Sequence, residues 1–342
     1  MYFFTFNDIK VDLGNNLFLP SIKILNELRR NALDEIFFVA QDRLLRKSPT
    51  LTDINLEKKD LKNTKIKDIK KRPISVLLNI LDENEDYNSL KNIDNVYIPL
   101  KYFSNRKYEN IITTISNKFN TYIYLPTIIK SNYKNLLNNV IENSIDKFVI
   151  KGFIVSNLSN GIFINKMIKK YKDKFEFIGN YTLNVYNHQT ENELENLGIK
   201  RLTISPELDE QTINSITKNR NIEQELIVYG KTPLMSINYC LLGKANKCHP
   251  DCTLNCKNNK EYYLKDRLGF TFRIIPDNIQ TVSTIYNSKI TSIDGSLFNV
   301  SSYRIDILDE TIDSINSIVD TILSGNRLEG KDYTNGNLNR EI

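Results

Sequence analysis

All four cysteines of this 342-residue chain fall in one segment, "YCLLGKANKCHPDCTLNC", with the spacing Cys240-x7-Cys248-x3-Cys252-x3-Cys256. Four thiolates so close in sequence can converge on one ion or cluster without a large fold behind them. Thiolates are soft ligands, suited to zinc or iron–sulfur centres rather than to magnesium or calcium. Zinc would take a closed tetrahedral site of four cysteines, or of three with His249 in place of the fourth. An iron–sulfur cluster would take all four thiolates inside an apolar shell. The spacing matches neither the paired CxxC of zinc ribbons nor the bacterial ferredoxin run, so it leaves the choice of metal open. The plainer alternative is a zinc knot that staples a long loop.

Other standard chemistries find little support. His188 and His249 are the only histidines, and a Ser–His–Asp or Cys–His machine would have to use one of them. Neither G-x-S-x-G nor H-E-x-x-H occurs, the two patterns that would signal a nucleophile elbow or a zinc protease helix. His188 follows Asn187 where a helix should start, so a helix N-terminal turn is its plain reading.

Composition narrows the class. Hydrophobic residues make up 40% and charged residues 25%, with both signs mixed, which fits a globular chain with a sizeable core. The net charge of +5 is compatible with an RNA partner and does not demand one. The start, "MYFFTFNDIKVDLG", lacks a basic stretch followed by an apolar core, so it does not read as a signal peptide. No apolar run reaches the ~18 residues a membrane helix needs. We therefore expect a cytoplasmic protein with no membrane partner. In a reducing compartment, clustered cysteines point to metal before disulfides.

The elements that must position these groups follow a repeated pattern. Residues 1–72 form a separate segment: "LFLPSIKILNELRRNALDEIFFVAQDRLLRK" has apolar residues at helical spacing with Ser21 as N-cap, and a lysine-rich linker then runs to Pro73. From there short β-branched or aromatic runs recur. They fall at 74–80, 95–100, 121–128, 148–156, 175–187, 201–208, 225–230 and 303–310. Each of the first six is followed by a helical pattern, and the helix "ETIDSINSIVDTIL" closes the series. Between the fifth and sixth runs, Thr190 and Glu193 have the spacing of a capping box, and Gly198 stands where a left-handed C-cap belongs.

Alternating strands and helices over residues 73–342 predict a (β/α)8 TIM-type barrel with a cysteine-containing insertion, residues 232–300, after strand seven. An open doubly wound sheet is the alternative, but its G-x-G-x-x-G fingerprint is absent. Barrel enzymes build their sites on the C-terminal face. The insertion should leave the rim at Gly230 and lie over the mouth, facing Asn184, Asn187 and Glu207, with Tyr229 at the base. Glu207 is then the best acid–base candidate. Its plain reading is a helix-start carboxylate, with Ser205 as N-cap and Pro206 in the first turn. Glu225 opens strand seven and is expected to lie away from the mouth. The stretch "YYLKDRLGFTFRIIPD" reads as a β-hairpin turning at Asp266–Gly269, whose aromatic and basic residues could also touch nucleic acid.

Several of these segments together resemble the collagenase-like peptidase family, peptidase family U thirty-two. They are "IVYGKTPLMSINYC" with the cysteines that follow, "YYLKDRLGFTFRIIPD", and the strand-end pieces "LNVYN" and "SPEL". Glu225 and Gly230 match the family's signature glutamate and glycine. Cys240, Cys248, Cys252 and Cys256 match its metal-binding cysteines. "LFLPSIKILNELRRNALDEI" resembles the end of the middle domain of longer members, so the resemblance implies either the C-terminal half of a long member, with an N-terminal partner half, or a truncated relative. The chain departs from many long members in "IPDNIQTVSTIYNS", which carries no downstream cysteine.

What the resemblance implies for activity divides three ways. Some members are described as collagen-degrading peptidases. Others resemble RNA- or quinone-hydroxylation proteins with a four-cysteine iron–sulfur cluster, and the long architecture looks most like the ribosomal RNA cytidine-hydroxylation branch. The expected function is a metal- or iron–sulfur-dependent RNA base hydroxylation enzyme or part of one, with a peptidase and a non-catalytic RNA- or partner-binding half as alternatives.

Overall fold

The computed structural model describes residues 21–44, 72–158, 166, 169–218, 222–238, 240–241, 261–277 and 279–339. Cys248, Cys252, Cys256, His249 and residues 45–71 of the linker lie outside these. The chain divides into two units, residues 1–59 and 60–342. In the first, α1 (Ile22–Leu44) is a single helix of 23 residues. Ser21 Oγ accepts from the Ile24 amide at 3.4 Å, the capping expected of it.

The second unit begins with β1 (Ile74–Leu78), β2 (Asn95–Pro99), β3 (Asn120–Tyr124), β4 (Gly152–Val155), β5 (Glu176–Gly179), β6 (Arg201–Thr203) and β7 (Glu223–Gly230). Then come β8 (Pro233–Ile237), β9 (Tyr262–Lys265), β10 (Thr271–Asp277), β11 (Val282–Tyr286), β12 (Ile290–Ser292), β13 (Ser302–Ile307) and β14 (Tyr333–Thr334). Strands β1 to β7 pair in parallel with their sequence neighbours, and β13 pairs in parallel with both β7 and β1. Eight parallel strands therefore close on themselves, which is the (β/α)8 barrel the sequence predicts.

Most of the interstrand helices that pack around this barrel bury one apolar stripe. In the last, Ile312–Leu323, the buried positions Ile312, Ile315, Ile318, Val319 and Ile322 follow the three-and-four spacing of a core-facing helix. Helices Glu109–Lys118, Lys134–Lys147, His188–Leu197 and Glu210–Lys218 sit between earlier strands.

Three local expectations need correction. No α-helix follows β1: the connection "LDENEDYNSLKNID" is polar without apolar period, and it forms one 3-10 turn, Tyr87–Ser89, capped by Asp86. The fifth run ends as a strand at Gly179, because a 3-10 turn at Tyr181–Leu183 and a left-handed Asn184 (φ 51°) redirect the chain. In the next helix the cap is Asn187, whose side chain accepts from the Thr190 amide at 2.9 Å. Thr190 is thus the third helical residue, not the cap. Asn competes well for that position, and Gly198 closes the helix in the left-handed region at φ 102°.

The segment between β7 and β13 builds a second sheet. Its order is β8-β11-β10-β9, antiparallel throughout. Strands β9 and β10 form the expected hairpin. Asp266 Oδ1 accepts from the Leu268 and Phe270 amides at 2.9 Å each, an Asx-type turn. Gly230 starts the excursion at φ 139°, where a Cβ would lie 2.5 Å from the Asp306 carbonyl oxygen. A side chain there would be strained by both conformation and space. Arg273 grips Asp309 just past β13 through two nitrogens at 2.8 Å. Ile275 and Tyr286 pack on Leu308 and Ile80. These contacts hold the small sheet over the C-terminal ends of β13 and β1.

Candidate functional site

Inside a closed barrel, every second residue of each strand faces the lumen. On β13 those residues are Ser302, Arg304 and Asp306, so the sequence "SYRIDI" sends charge inward from an otherwise apolar strand. Arg304 is fully buried. Its Nε donates to Asp306 Oδ1 at 2.6 Å and its Nη2 to Oδ2 at 3.0 Å. Nη1 donates to Asn180 Oδ1 at 2.8 Å, and the guanidinium lies over the rings of Tyr97 and Tyr124 at 5.6 and 5.5 Å. A bidentate carboxylate, an amide and two ring faces use the planar group in every direction.

Below this layer the lumen is closed by a second network. The Tyr97 hydroxyl donates to Glu225 Oε2 at 2.7 Å, and Thr203 Oγ1 donates to Glu225 Oε1 at 3.1 Å. Ser75 Oγ donates to the Tyr97 hydroxyl oxygen at 3.0 Å and accepts from Asn95 Nδ2 at 3.2 Å. Leu77, Tyr122, Ile154 and Ile178 fill the remaining space. Glu225 is wholly buried, so it lies in the barrel's floor, away from the mouth.

Above Asp306 the lumen opens into a cavity of about 260 Å3. Asn79, Lys101, Tyr124, Tyr181 and Asp306 supply its barrel side. Met235, Ser236, Ile275, Val282 and Tyr286 of the four-stranded sheet supply the other. The Tyr286 hydroxyl reaches across to Asn79 Oδ1 at 3.2 Å, and Lys101 Nζ donates to the Pro276 carbonyl at 3.2 Å. Burial pulls the Lys101 ammonium below the usual lysine range and pushes the Tyr181 and Tyr286 hydroxyls above the tyrosine range. It also raises the Asp306 carboxyl, against the downward pull of Arg304. The polar wall is neutral hydroxyls and amides, with the Lys101 ammonium and two carboxylates, Asp306 held by Arg304 and Asp277 held by the Ile279 and Gln280 amides.

A second cavity of about 400 Å3 adjoins the first, and Tyr181, Pro233 and Leu234 line both. Ser205, Glu207, Thr232, Asn287 and the C-terminal residues Thr334 and Asn337 contribute its polar lining. Asn337 Nδ2 donates to the Pro206 carbonyl at 3.1 Å.

The residues singled out from the sequence disperse around this mouth. Glu207 is exposed on the lining of the second cavity and accepts from the Tyr186 hydroxyl at 2.8 Å. Its helix-start reading fails. The helix begins at Glu210, capped by Asp209 Oδ1 on the Thr212 amide at 2.7 Å, while Ser205 Oγ accepts from the Glu207 amide at 3.3 Å in a separate turn. Asn184 is exposed at the end of a 3-10 turn and Asn187 is the exposed cap described above; neither lines either cavity. Tyr229 is buried on the outer face of the barrel. A register shift between Arg304 and Ile305 against β7 turns it out of the lumen, and its hydroxyl donates to Glu310 Oε1 at 3.0 Å. It therefore does not stand at the base of the mouth.

Cys240 is half-buried just past β8. The neighbouring Leu241 amide donates to Ser283 Oγ of β11 at 3.2 Å, and the chain returns at β9, where Tyr262 pairs with Ile274. Residues 242–260, with the other three cysteines, lie outside the described residues. Among the described residues no group of three His, Cys, Asp or Glu side chains could hold a metal ion, and no helix is long and apolar enough to cross a membrane.

Sequence reasoning missed Lys101, Tyr181, Tyr286, Arg304 and Asp306. The last two carried a readable signal, since charges two apart in a strand buried on both faces must point into a lumen. Tyr286 and Lys101 carried none, because they meet only when the small sheet folds over the mouth.

Comparison with known proteins bears on the family. The sequence model of peptidase family U32 matches residues 89–330. A solved structure of the U32 peptidase Mk0906 is similar at 11% identity and a TM-score of 0.41, covering 70% of this chain and 95% of that one. No curated protein matches the sequence.

Proposed function

The chain belongs to peptidase family U32, and from that premise we propose that it is an RNA-modifying enzyme that converts a ring C–H of a base held in the mouth cavity to C–OH, the oxygen atom and both oxidising equivalents coming from a diffusible oxygen-atom donor. One observation carries the reading. The cysteine segment leaves from β8 and returns at β9, the two outer strands of the sheet that walls the cavity through β8, β10 and β11. A centre held by that segment is thereby tethered to the wall of the pocket where a base would sit.

The donor set suits such a centre: four thiols, one of them half-buried beside the sheet and anchored through Leu241. Cys240, Cys248, Cys252 and Cys256 would hold an iron–sulfur cluster, which supplies one-electron redox chemistry when bound. The chain's other residues receive and orient the base. Tyr124, Tyr181 and Tyr286 offer ring edges and hydroxyls, and Asn79 and Ser236 offer hydrogen bonds to a polar ring edge. A volume of about 260 Å3 sits just under the ~300–1,000 Å3 common for ligand pockets, close to the needs of a single ring. The small sheet walls one side of the site.

A peptidase would require an activated nucleophile. His188 is committed to Glu191, with Nδ1 at 2.9 Å from Oε2, on an outer helix. The walls of the cavity supply no hydroxyl–imidazole pair among the described residues.

The test joins metal analysis to RNA analysis. Protein prepared without oxygen should contain iron and sulfide and show visible absorption that bleaches on reduction. RNA from cells lacking the gene should lose one nucleoside heavier by an oxygen atom, and a Cys240→Ala gene should fail to restore it. Peptide cleavage that survives loss of all four cysteines, with cellular RNA unchanged, would establish the peptidase instead.

A further inference from the structure

Three tyrosines line the mouth cavity: Tyr124 at the end of β3, Tyr181 in the 3-10 turn after β5, and Tyr286 at the end of β11. Their hydroxyl protons are not equally spent. Asn79 Nδ2 donates to the Ile307 carbonyl at 3.0 Å, which leaves Oδ1 for the Tyr286 hydroxyl, a donor to it at 3.2 Å. Asn180 Oδ1 is held by Arg304 at 2.8 Å, which leaves Nδ2 for Tyr124, and Nδ2 donates to the Tyr124 oxygen at 2.7 Å. The Tyr124 oxygen is an acceptor in that bond, so its own proton points elsewhere and meets no acceptor among the described residues. The Tyr181 hydroxyl makes no hydrogen bond with a described residue. It is not one of the enclosed polar atoms without a partner, so it opens onto the cavity.

The acceptors on the same wall are already engaged. Arg304 holds both oxygens of Asp306, and the Ile279 and Gln280 amides hold Asp277. Burial is the main cause that keeps the Tyr181 phenol protonated, followed by the charges of Tyr124, Tyr286 and Asp306, which oppose its ionisation. Tyr124 and Asp306 oppose that of Tyr286 in the same way. The hydroxyls therefore gather at one end of the cavity, beside Asp306. Two unspent phenol protons there match one ligand oxygen, because a carbonyl oxygen has two lone pairs and accepts from both. A ligand that displaces water from such donors must reproduce its hydrogen bonds or lose affinity. The Asp306 carboxylate favours a neutral oxygen over an anionic one at this place.

We propose that the Tyr124 and Tyr181 hydroxyls together receive a ring carbonyl oxygen of the base, and so decide which edge of the base enters the cavity. This rests on the RNA-modification reading and adds to it the two residues that select for a carbonyl group. The competing role, two rings that only pack the wall, predicts that the Tyr181 hydroxyl can be removed without any effect on ligand choice.

Titration calorimetry of the full holoprotein decides between them, with cytidine against 2-thiocytidine and uridine against 2-thiouridine and 4-thiouridine. Sulfur is the weaker acceptor. In at least one of these pairs the wild type should bind the oxo nucleoside roughly 10-fold more tightly, within the range for two neutral hydrogen bonds. Tyr181→Phe should melt as the wild type does, since the hydroxyl it removes has no described partner. Its affinity for that oxo nucleoside should fall roughly 3–10-fold while its affinity for the thio analogue stays unchanged. Tyr124→Phe should do the same, and either variant suffices if circular dichroism shows the other unfolded. Equal binding within every pair by wild type, binding of no nucleoside, or a full preference retained in Tyr181→Phe would overturn the carbonyl site. So would a preference lost because the thio analogue binds better, the mark of relieved crowding. Failure of the wider reading shows separately, as unchanged nucleosides in RNA from cells lacking the gene.

Discussion

The floor of the barrel and its mouth are built from similar residue types and do opposite things with them. In the floor, Glu225, Tyr97, Thr203, Ser75 and Asn95 satisfy one another within 3.2 Å, and Arg304 is enclosed by Asp306, Asn180 and two tyrosine rings. In the mouth, tyrosines and a lysine surround a cavity of about 260 Å3, and the Lys101 ammonium spends one donor, on the Pro276 carbonyl, among the described residues. Fully paired buried polar groups specify and rigidify a structure, whereas unspent ones await a ligand. The contrast teaches that burial of charge alone does not mark a functional site in this chain. What separates site from scaffold is whether the polar groups are already spent on one another or still face an open cavity.

The comparison breaks most visibly at Arg304. Replacing it with methionine keeps most of the bulk but leaves Asp306 buried and uncompensated and removes the donor to Asn180. Breaking one side of a buried pair costs about 3–5 kcal/mol. Arg304→Met should therefore lower the free energy of unfolding by that amount in urea titrations, or prevent folding. A variant as stable as wild type would mean that the floor is not the scaffold described.

At the boundary between floor and mouth the expected effect is smaller. Tyr286 belongs to the small sheet, and its hydroxyl donates to Asn79 of β1 at 3.2 Å. Tyr286→Phe removes that one neutral bond and leaves the packing on Leu308 and Ile80 intact. The loss should be about 0.5–1.5 kcal/mol, measured by the same titration. A loss as large as that at Arg304 would show that the sheet and the barrel depend on each other far more than their contacts indicate.

How far each region could be read in the sequence follows the same division. The barrel was legible because parallel strands buried on both faces appear as short apolar runs, such as "ISVLL" and "GFIV", punctuated by amphipathic helices. Gly198 and Gly230 could be placed because left-handed positions select glycine. The hairpin at Asp266–Gly269 was legible from its turn residues. Strand ends were less so. "FEFIGNYTLNVYN" reads as one long strand, yet Asn184 tolerates the left-handed turn that ends it early. Tyr229 was misplaced because a register shift of one residue turns a side chain to the opposite face, and nothing local announces it. Lys101 and Tyr286 stand 185 positions apart in the chain. Their shared cavity exists only through tertiary folding of the insertion, and no spacing rule reaches that far.

The smallest expected effect is at Glu207, which sharpens the comparison within the mouth itself. Glu207 is exposed, lines the second cavity and holds the Tyr186 hydroxyl at 2.8 Å. Glutamine keeps an oxygen in the same place to accept that bond, so Glu207→Gln should change stability by less than about 0.5 kcal/mol, as at ordinary surface positions. The consequence for activity depends on which cavity receives the base. With the base in the cavity that Lys101 lines, on the far side of Tyr181 and Leu234, Glu207 touches no reacting atom, and RNA from cells carrying Glu207→Gln should keep the modified nucleoside at its normal level. A proton-transfer role would give the opposite result, since glutamine cannot exchange a proton and loss of general acid–base catalysis removes about 10²–10⁴-fold in rate. Loss of the nucleoside from a stable, metal-replete Glu207→Gln protein would move the chemistry into the second cavity and leave Lys101 outside it.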